Sequence, residues 1–153
     1  MKGTLKIKLL PSEDQAKSLL KTIKQANAAC NTISEAAWDR KLFNQYKIHH
    51  ETYHQIRATY HLPAQVVALC IGKVADAYKS GRKTKRQFQP LGAITYDSRI
   101  LTYWEKGISL WTVDGRLKEI PFVCHNNRYF PFRKGGPICY GEKGNFICSR
   151  QWR

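Results

Sequence analysis

The chain has 153 residues and a mass of 17.7 kDa, room for one ordinary domain or two very small ones. Hydrophobic residues make up 42% and aromatic residues 12%, which excludes wholesale disorder. Against 26 Lys and Arg stand 11 Asp and Glu, a formal charge of +15, and residues 1–60, 61–90 and 91–153 each carry +5. So even an excess argues against a neutral enzyme domain with a basic tail and for a polyanion that touches much of the surface, most commonly nucleic acid. No run of about 18 apolar residues spans a membrane. The start, Met1-Lys2-Gly3-Thr4-Leu5-Lys6, lacks the apolar core of a signal peptide. The expectation is a cytoplasmic protein with no membrane partner, its five cysteines reduced and Cys30 and Cys70 packed as small hydrophobes.

Residues 4–9 alternate polar and apolar, placing Leu5, Ile7 and Leu9 on one face of a strand that Pro11 stops. Ser12 and Gln15 have capping-box spacing, and Glu13 and Asp14 complement the helix dipole. Ala16, Leu19, Leu20, Ile23, Ala26, Cys30, Ile33 and Ala37 then form one apolar stripe about six turns long. A second, weaker helix covers 49–60, with Tyr53, Ile56 and Tyr60 as its apolar side. A third follows Pro63, with Val66, Val67, Leu69, Cys70, Val74, Ala77 and Tyr78 inward, and ends at Gly81. Arg82-Lys83-Thr84-Lys85-Arg86 reads as a solvated linker or a phosphate contact.

After Pro90, turn residues recur and short β-rich runs lie between them, at 93–96, 100–104, 108–113, 117–123 and 129–132. Asp114-Gly115 is a hairpin signal. The first strand has no local partner, so it is expected to pair with the later ones. The fold class is therefore α+β, a small antiparallel β-barrel split by an inserted bundle of about three helices. The expected division is 1–10 plus 88–153 for the barrel and 11–87 for the helical insert.

Several chemistries lack their residues. The eleven acids are scattered, with no pair that would cage Mg²⁺. There is no phosphate-cradling Gly-rich loop and no nucleophile elbow. Cys124, His125, Cys139 and Cys148 do not have zinc-ligand spacing, and His49 and His50 are expected to face water. No catalytic residue, metal or cofactor is expected.

Three stretches carry a resemblance. They are Asn27-Ala28-Ala29-Cys30-Asn31-Thr32-Ile33-Ser34-Glu35-Ala36-Ala37-Trp38, then Leu62-Pro63-Ala64-Gln65 with Lys73-Val74-Ala75-Asp76-Ala77-Tyr78-Lys79, and Pro90-Leu91-Gly92-Ala93-Ile94 with Tyr96-Asp97-Ser98-Arg99-Ile100-Leu101 and Ile108-Ser109-Leu110-Trp111-Thr112-Val113-Asp114-Gly115-Arg116-Leu117. Over residues 1 to about 123 the chain resembles the N-terminal part of TnpB, the transposon-encoded RNA-guided DNA nuclease related to type V CRISPR effectors. The resemblance implies a wedge-like β-barrel split by a helical recognition insert, the two together gripping guide RNA and target DNA. It also implies a RuvC-like nuclease domain beyond the barrel. No acid of this chain matches that domain's first carboxylate, so the expectation is a protein that binds but does not cut.

The ending departs from the family. Gly144-Asn145-Phe146 is followed by Ile147-Cys148-Ser149-Arg150-Gln151-Trp152-Arg153, which reads as a poor final strand. Deleting one base from codons for the family's usual Phe-Tyr-Leu-Phe-Ala-Thr-Val-Glu strand yields Phe146–Arg153. The expectation is therefore a frameshifted, truncated remnant, whose frayed last strand leaves a barrel edge open to aggregation.

The candidate nucleic-acid-binding residues are Tyr53, Arg57, Gln65, Lys73, Lys79, Arg82, Lys83, Lys85, Arg86, Arg99 and Arg116. The cations would displace counterions at phosphates. Gln65 is placed to pair with an adenine edge. Tyr53 is either core or a base-stacking platform. Trp104 and Trp111 are expected in the barrel core. The competing function is a standalone DNA-binding transcriptional regulator whose helices act as a helix-turn-helix.

Overall fold

The structure is a computed structural model that describes residues 2–104, 107–124, 138–141 and 145–151. In chain order the elements are β1 (Lys2–Leu9), α1 (Glu13–Asp39), α2 (Gln45–Tyr60), α3 (Ala64–Lys79), β2 (Ile94–Tyr96), β3 (Leu101–Trp104), β4 (Gly107–Thr112), β5 (Gly115–Ile120), β6 (Phe122–Cys124), β7 (Ile138–Gly141) and β8 (Asn145–Gln151). The chain divides into two compact units. One comprises the described residues of 1–20 and 93–153; the other is 21–92.

In the first unit all the strand pairing is antiparallel and falls into two sheets. The larger has the order β2-β7-β8-β1-β6 and the smaller the order β3-β4-β5. The first strand does pair with the last ones: Lys2–Lys8 face Gln151–Asn145, and Ile7–Leu9 face Cys124–Phe122. Among the described residues the two sheets do not join into the expected closed barrel. The run expected as one strand over 117–123 is instead two, β5 in one sheet and β6 in the other, parted at Pro121, which has no N–H to donate to a ladder. The end of the chain also differs from expectation. The segment read as a poor strand is β8, which sits between β1 and β7. Ladder bonds use backbone groups, so an irregular side-chain pattern does not prevent them. The run expected at 129–132, with His125, lies outside the described residues.

The β4–β5 hairpin turns through Val113 and Asp114, with Thr112 opposite Gly115 at φ +115°, where glycine avoids the Cβ clash. Its ladder shifts register between Ile108 and Leu110, so Glu119 is the extra residue, at φ +53°. The first turns of α1 also belong to this unit. The capping box is formed as its spacing predicts: Ser12 N donates to Gln15 Oε1 (3.0 Å) and Gln15 N to Ser12 Oγ (3.4 Å). Gln15 Nε2 reaches Lys118 O at 3.4 Å, and Ser18 Oγ reaches Asp114 Oδ2 at 3.0 Å. Those bonds to the hairpin are why the start of α1 groups with the sheets.

The second unit is helical. α1 buries Ile23, Ala26, Cys30, Ile33 and Ala37 as the stripe predicts, and Cys30 and Cys70 are buried free thiols. Two members of the stripe that fall in the first unit, Ala16 and Leu20, are exposed instead. α1 ends in a Schellman closure: Leu42 N donates to Ala37 O (2.8 Å) and Lys41 N to Trp38 O (3.3 Å), with Lys41 left-handed at φ +55°. α2 starts at Gln45, four residues earlier than expected. Asn44 caps it by accepting from Tyr46 N at 2.9 Å, and Ile48, Thr52 and Ile56 form the buried face. α3 buries Val66, Val67, Cys70, Ile71, Val74, Ala75 and Tyr78.

Residues 86–92 are not a loose linker. A polar row on α1, spaced i, i+4, i+7, holds every second carbonyl of this segment, which ends in a turn closed by Gly92 N donating to Gln89 O at 2.9 Å. Ser34 Oγ donates to Arg86 O (2.6 Å), Asn31 Nδ2 to Phe88 O (3.0 Å), and Asn27 Nδ2 to Pro90 O (3.3 Å) and Gly92 O (2.8 Å). Buried backbone groups need such partners. This is why 88–92 groups with the helices.

Candidate nucleic-acid interface

Residues 21–92 hold twelve Lys and Arg against four Asp and Glu, a net charge of +8. Three of the four acids form ion pairs within the unit. Glu35 meets Lys85 at 2.6 Å, Asp76 meets Lys79 at 2.6 Å, and Glu51 meets Arg40. The Lys85 ammonium holds the Glu35 carboxyl below the usual carboxylate range, and Glu35 in turn raises Lys85. These pairs are solvent-exposed, so each contributes little to stability.

Three further cations, Lys41, Lys47 and Arg82, and the Asp76-paired Lys79 line one hollow of about 860 Å³, with Phe43 and Tyr46 among its other walls. Three local features build it. The Schellman closure of α1 turns Lys41 out at a left-handed backbone. The Asn44 cap fixes the start of α2, so its first turn presents Tyr46 and Lys47 and the positive end of its dipole to the same hollow. The C-terminus of α3 and the turn after it supply Lys79 and Arg82. Tyr46 is 80% exposed. The Arg82 guanidinium lies 5.3 Å from the Phe43 ring centroid, and Lys41 Nζ lies 4.0 Å from the Trp38 ring centroid, so both cations rest on aromatic faces. Cations, a helix start and an exposed tyrosine together suit a strand of phosphates with a base to stack.

The expected site residues fall into distinct surroundings. Lys79 and Arg82 line the hollow, and Lys83 is exposed beside them in sequence. Tyr53 is half-buried on α2, stacked on His49 (4.6 Å, 18°) and edge-on to His54 (5.3 Å). Arg57 is exposed in the last turn of α2, where its carbonyl accepts the His61 cap bond. Gln65 is half-buried in the first turn of α3.

Lys73, Lys85 and Arg86 do not line the hollow and have structural partners. Lys73 Nζ donates to Asn27 Oδ1 at 2.7 Å and lies 4.9 Å from the Phe88 ring centroid. Lys85 is held by Glu35. Arg86 donates to Gly81 O at 3.0 Å, so close to residue 81 that a Cβ there would strike its guanidinium.

Arg99 and Arg116 belong to the unit of sheets. Arg99 is exposed in the turn before β3, its N–H bonded to Asp97 Oδ1 at 2.9 Å. Arg116 donates to Thr102 Oγ1 at 2.5 Å. Trp111, expected in a core, is exposed on β4.

Lys41, Tyr46 and Lys47 were not among the expected site residues. The signal that marks them is Asn44, a cap residue that moves the start of α2 ahead of the histidines. Among the described residues, no three His, Cys, Asp or Glu side chains converge as a metal site would need, and no helix is long and apolar enough to cross a membrane. No family model and no curated protein matches the chain significantly.

Proposed function

We propose that this chain binds nucleic acid, holding a single strand of RNA against the cationic hollow of its helical unit. The observation that carries this reading is the convergence of Lys41, Lys47 and Arg82 beside the start of α2, with Tyr46 exposed among them. Backbone phosphates would take the cations and a base would stack on the tyrosine, a sequence-tolerant mode of binding.

The resemblance to TnpB supports the choice of polyanion: guide RNA and target DNA. On this reading the unit of sheets is the counterpart of the wedge and the helices are the recognition insert. No cutting step is proposed.

The test is equilibrium binding of a single-stranded RNA at 50 and 200 mM salt. Three phosphate contacts on a single strand should weaken affinity roughly 20-fold over that range. An affinity unaltered by salt would sink the reading.

The three-residue connection from His61 to Pro63 between α2 and α3 favours a helix-turn-helix regulator as the second reading. Against it, α3 buries seven of its positions and commits Lys73 to Asn27, which leaves little recognition face. A regulator would bind a duplex without RNA and lose about 1–3 kcal/mol per changed base pair.

A further inference from the structure

We infer that Trp111 is a second contact for single-stranded nucleic acid, a platform on which one base stacks while Arg116 takes the neighbouring phosphate. This inference rests on the nucleic-acid reading above and concerns the unit of sheets.

Along β4, Ile108, Leu110 and Thr112 are buried on one face; on the other, Ser109 is buried as well, and Trp111 is the one exposed position of the strand, at 37%. An indole left on a sheet face is either an unused hydrophobe or a contact surface. Three features favour the contact.

First, the ring is mounted on a fixed backbone. Trp111 N donates to Ile100 O at 2.9 Å, and Trp111 faces Arg116 directly across the β4–β5 ladder. Little conformational entropy remains to be lost when a base lands on it. Second, the cation is pre-positioned. Arg116 is tied to Thr102 on β3 at 2.5 Å, and its guanidinium lies over one face of the Trp111 ring, 6.0 Å from the centroid, so a base would use the other face. Neighbouring strands thus contribute an anchor, an aromatic face and a charge to one spot. Third, a chain of charge +15 favours an anionic partner, and Lys118 is exposed two residues beyond Arg116.

An aromatic face beside a fixed guanidinium fits a nucleotide of a single strand. It does not fit a duplex, whose bases are already stacked on one another.

The experiment measures binding of the full chain to three probes: a 12-nucleotide oligouridylate, a duplex of equal length, and heparin, a polyanion without bases. Trp111→Ala should weaken oligouridylate binding about tenfold. Heparin and duplex binding should stay unchanged, and Trp111→Phe should retain most of the affinity because it keeps a ring. Matching urea transitions establish that the variants fold.

The inference is overturned if Trp111→Ala leaves oligouridylate binding intact, if all three probes weaken together, or if the variant changes only the association state, which would make Trp111 a protein contact. Failure of the parent reading looks different: the unaltered chain would bind neither oligouridylate nor heparin.

Discussion

Asn31 and Phe88, 57 residues apart, pair as two strand residues do. The Asn31 amide donates to Phe88 O at 3.0 Å, and its Oδ1 accepts from Phe88 N at 2.7 Å. A side chain on a helix thus offers an extended segment the donor and acceptor that a neighbouring strand would offer. With Asn27 and Ser34 on either side, it fixes the path of residues 86–92 along α1.

Asn31→Ala should therefore cost about 1–3 kcal/mol, because both backbone groups of half-buried Phe88 lose their partner. Urea denaturation should show a lower midpoint with an unchanged slope. A midpoint equal to that of the unaltered protein would mean that water satisfies Phe88 equally well.

Among the basic residues after α3, charge alone does not set the contribution to binding. Arg82 lines the hollow, whereas Lys85 is tied to Glu35. Arg82→Ala should lower the slope of log affinity against log salt by roughly 0.7, one single-strand phosphate contact, and Lys85→Ala should leave it unchanged. Equal slope changes in both variants would show that position within the run is irrelevant.

The Glu35–Lys85 pair has its own signature. Lys85 lowers the Glu35 carboxyl, so the stability this pair contributes is present above the ordinary carboxylate range and is lost as pH falls through the folded Glu35 value. Carbon-detected NMR titration should place Glu35 below the other glutamates, and Lys85→Met should return it toward them. A Glu35 that titrates with the others in both proteins would contradict the pairing.

His61 ends α2 at φ +50°, donating from its backbone to Arg57 O at 3.1 Å. Its side chain is exposed, so the left-handed backbone carries a strain that glycine would not. His61→Gly should stabilise the protein by about 1 kcal/mol and leave RNA affinity unchanged. A destabilised variant would mean that the imidazole holds the turn.

Much of the architecture can be read from residue pattern, because local chemistry dictated it. Ser12 and Gln15 cap α1, the stripe from Ile23 to Ala37 is buried, and the turn at Asp114 joins β4 to β5. The pairing of β1 with late strands follows from a strand that has no neighbour in sequence.

Where pattern failed, the deciding interactions are long-range. The split at Pro121 assigns β5 and β6 to different sheets, a partition that the apolar run through 117–123 does not carry. β7 and β8 are held by ladder bonds that side-chain periodicity does not report. The polar row of Asn27, Asn31 and Ser34 looks like an interruption of a helix until residues 86–92 lie against it.

The candidate site was half legible. Lys79 and Arg82 stand in a conspicuous basic stretch, whereas Lys41, Tyr46 and Lys47 join them only through the end of α1 and the Asn44 cap. Trp111 reads as a core residue by composition and is exposed near the end of β4, although Ser109 on the same face is buried.

The most direct test of the central claim is photocrosslinking of the full chain to a 4-thiouridine-substituted single-stranded RNA, with the adducts located by mass spectrometry. The account expects adducts on Tyr46 or Phe43, lost when Lys41 and Arg82 are both changed to Glu. Adducts that map entirely outside residues 41–49 and 79–82, or that survive this charge reversal, would contradict it.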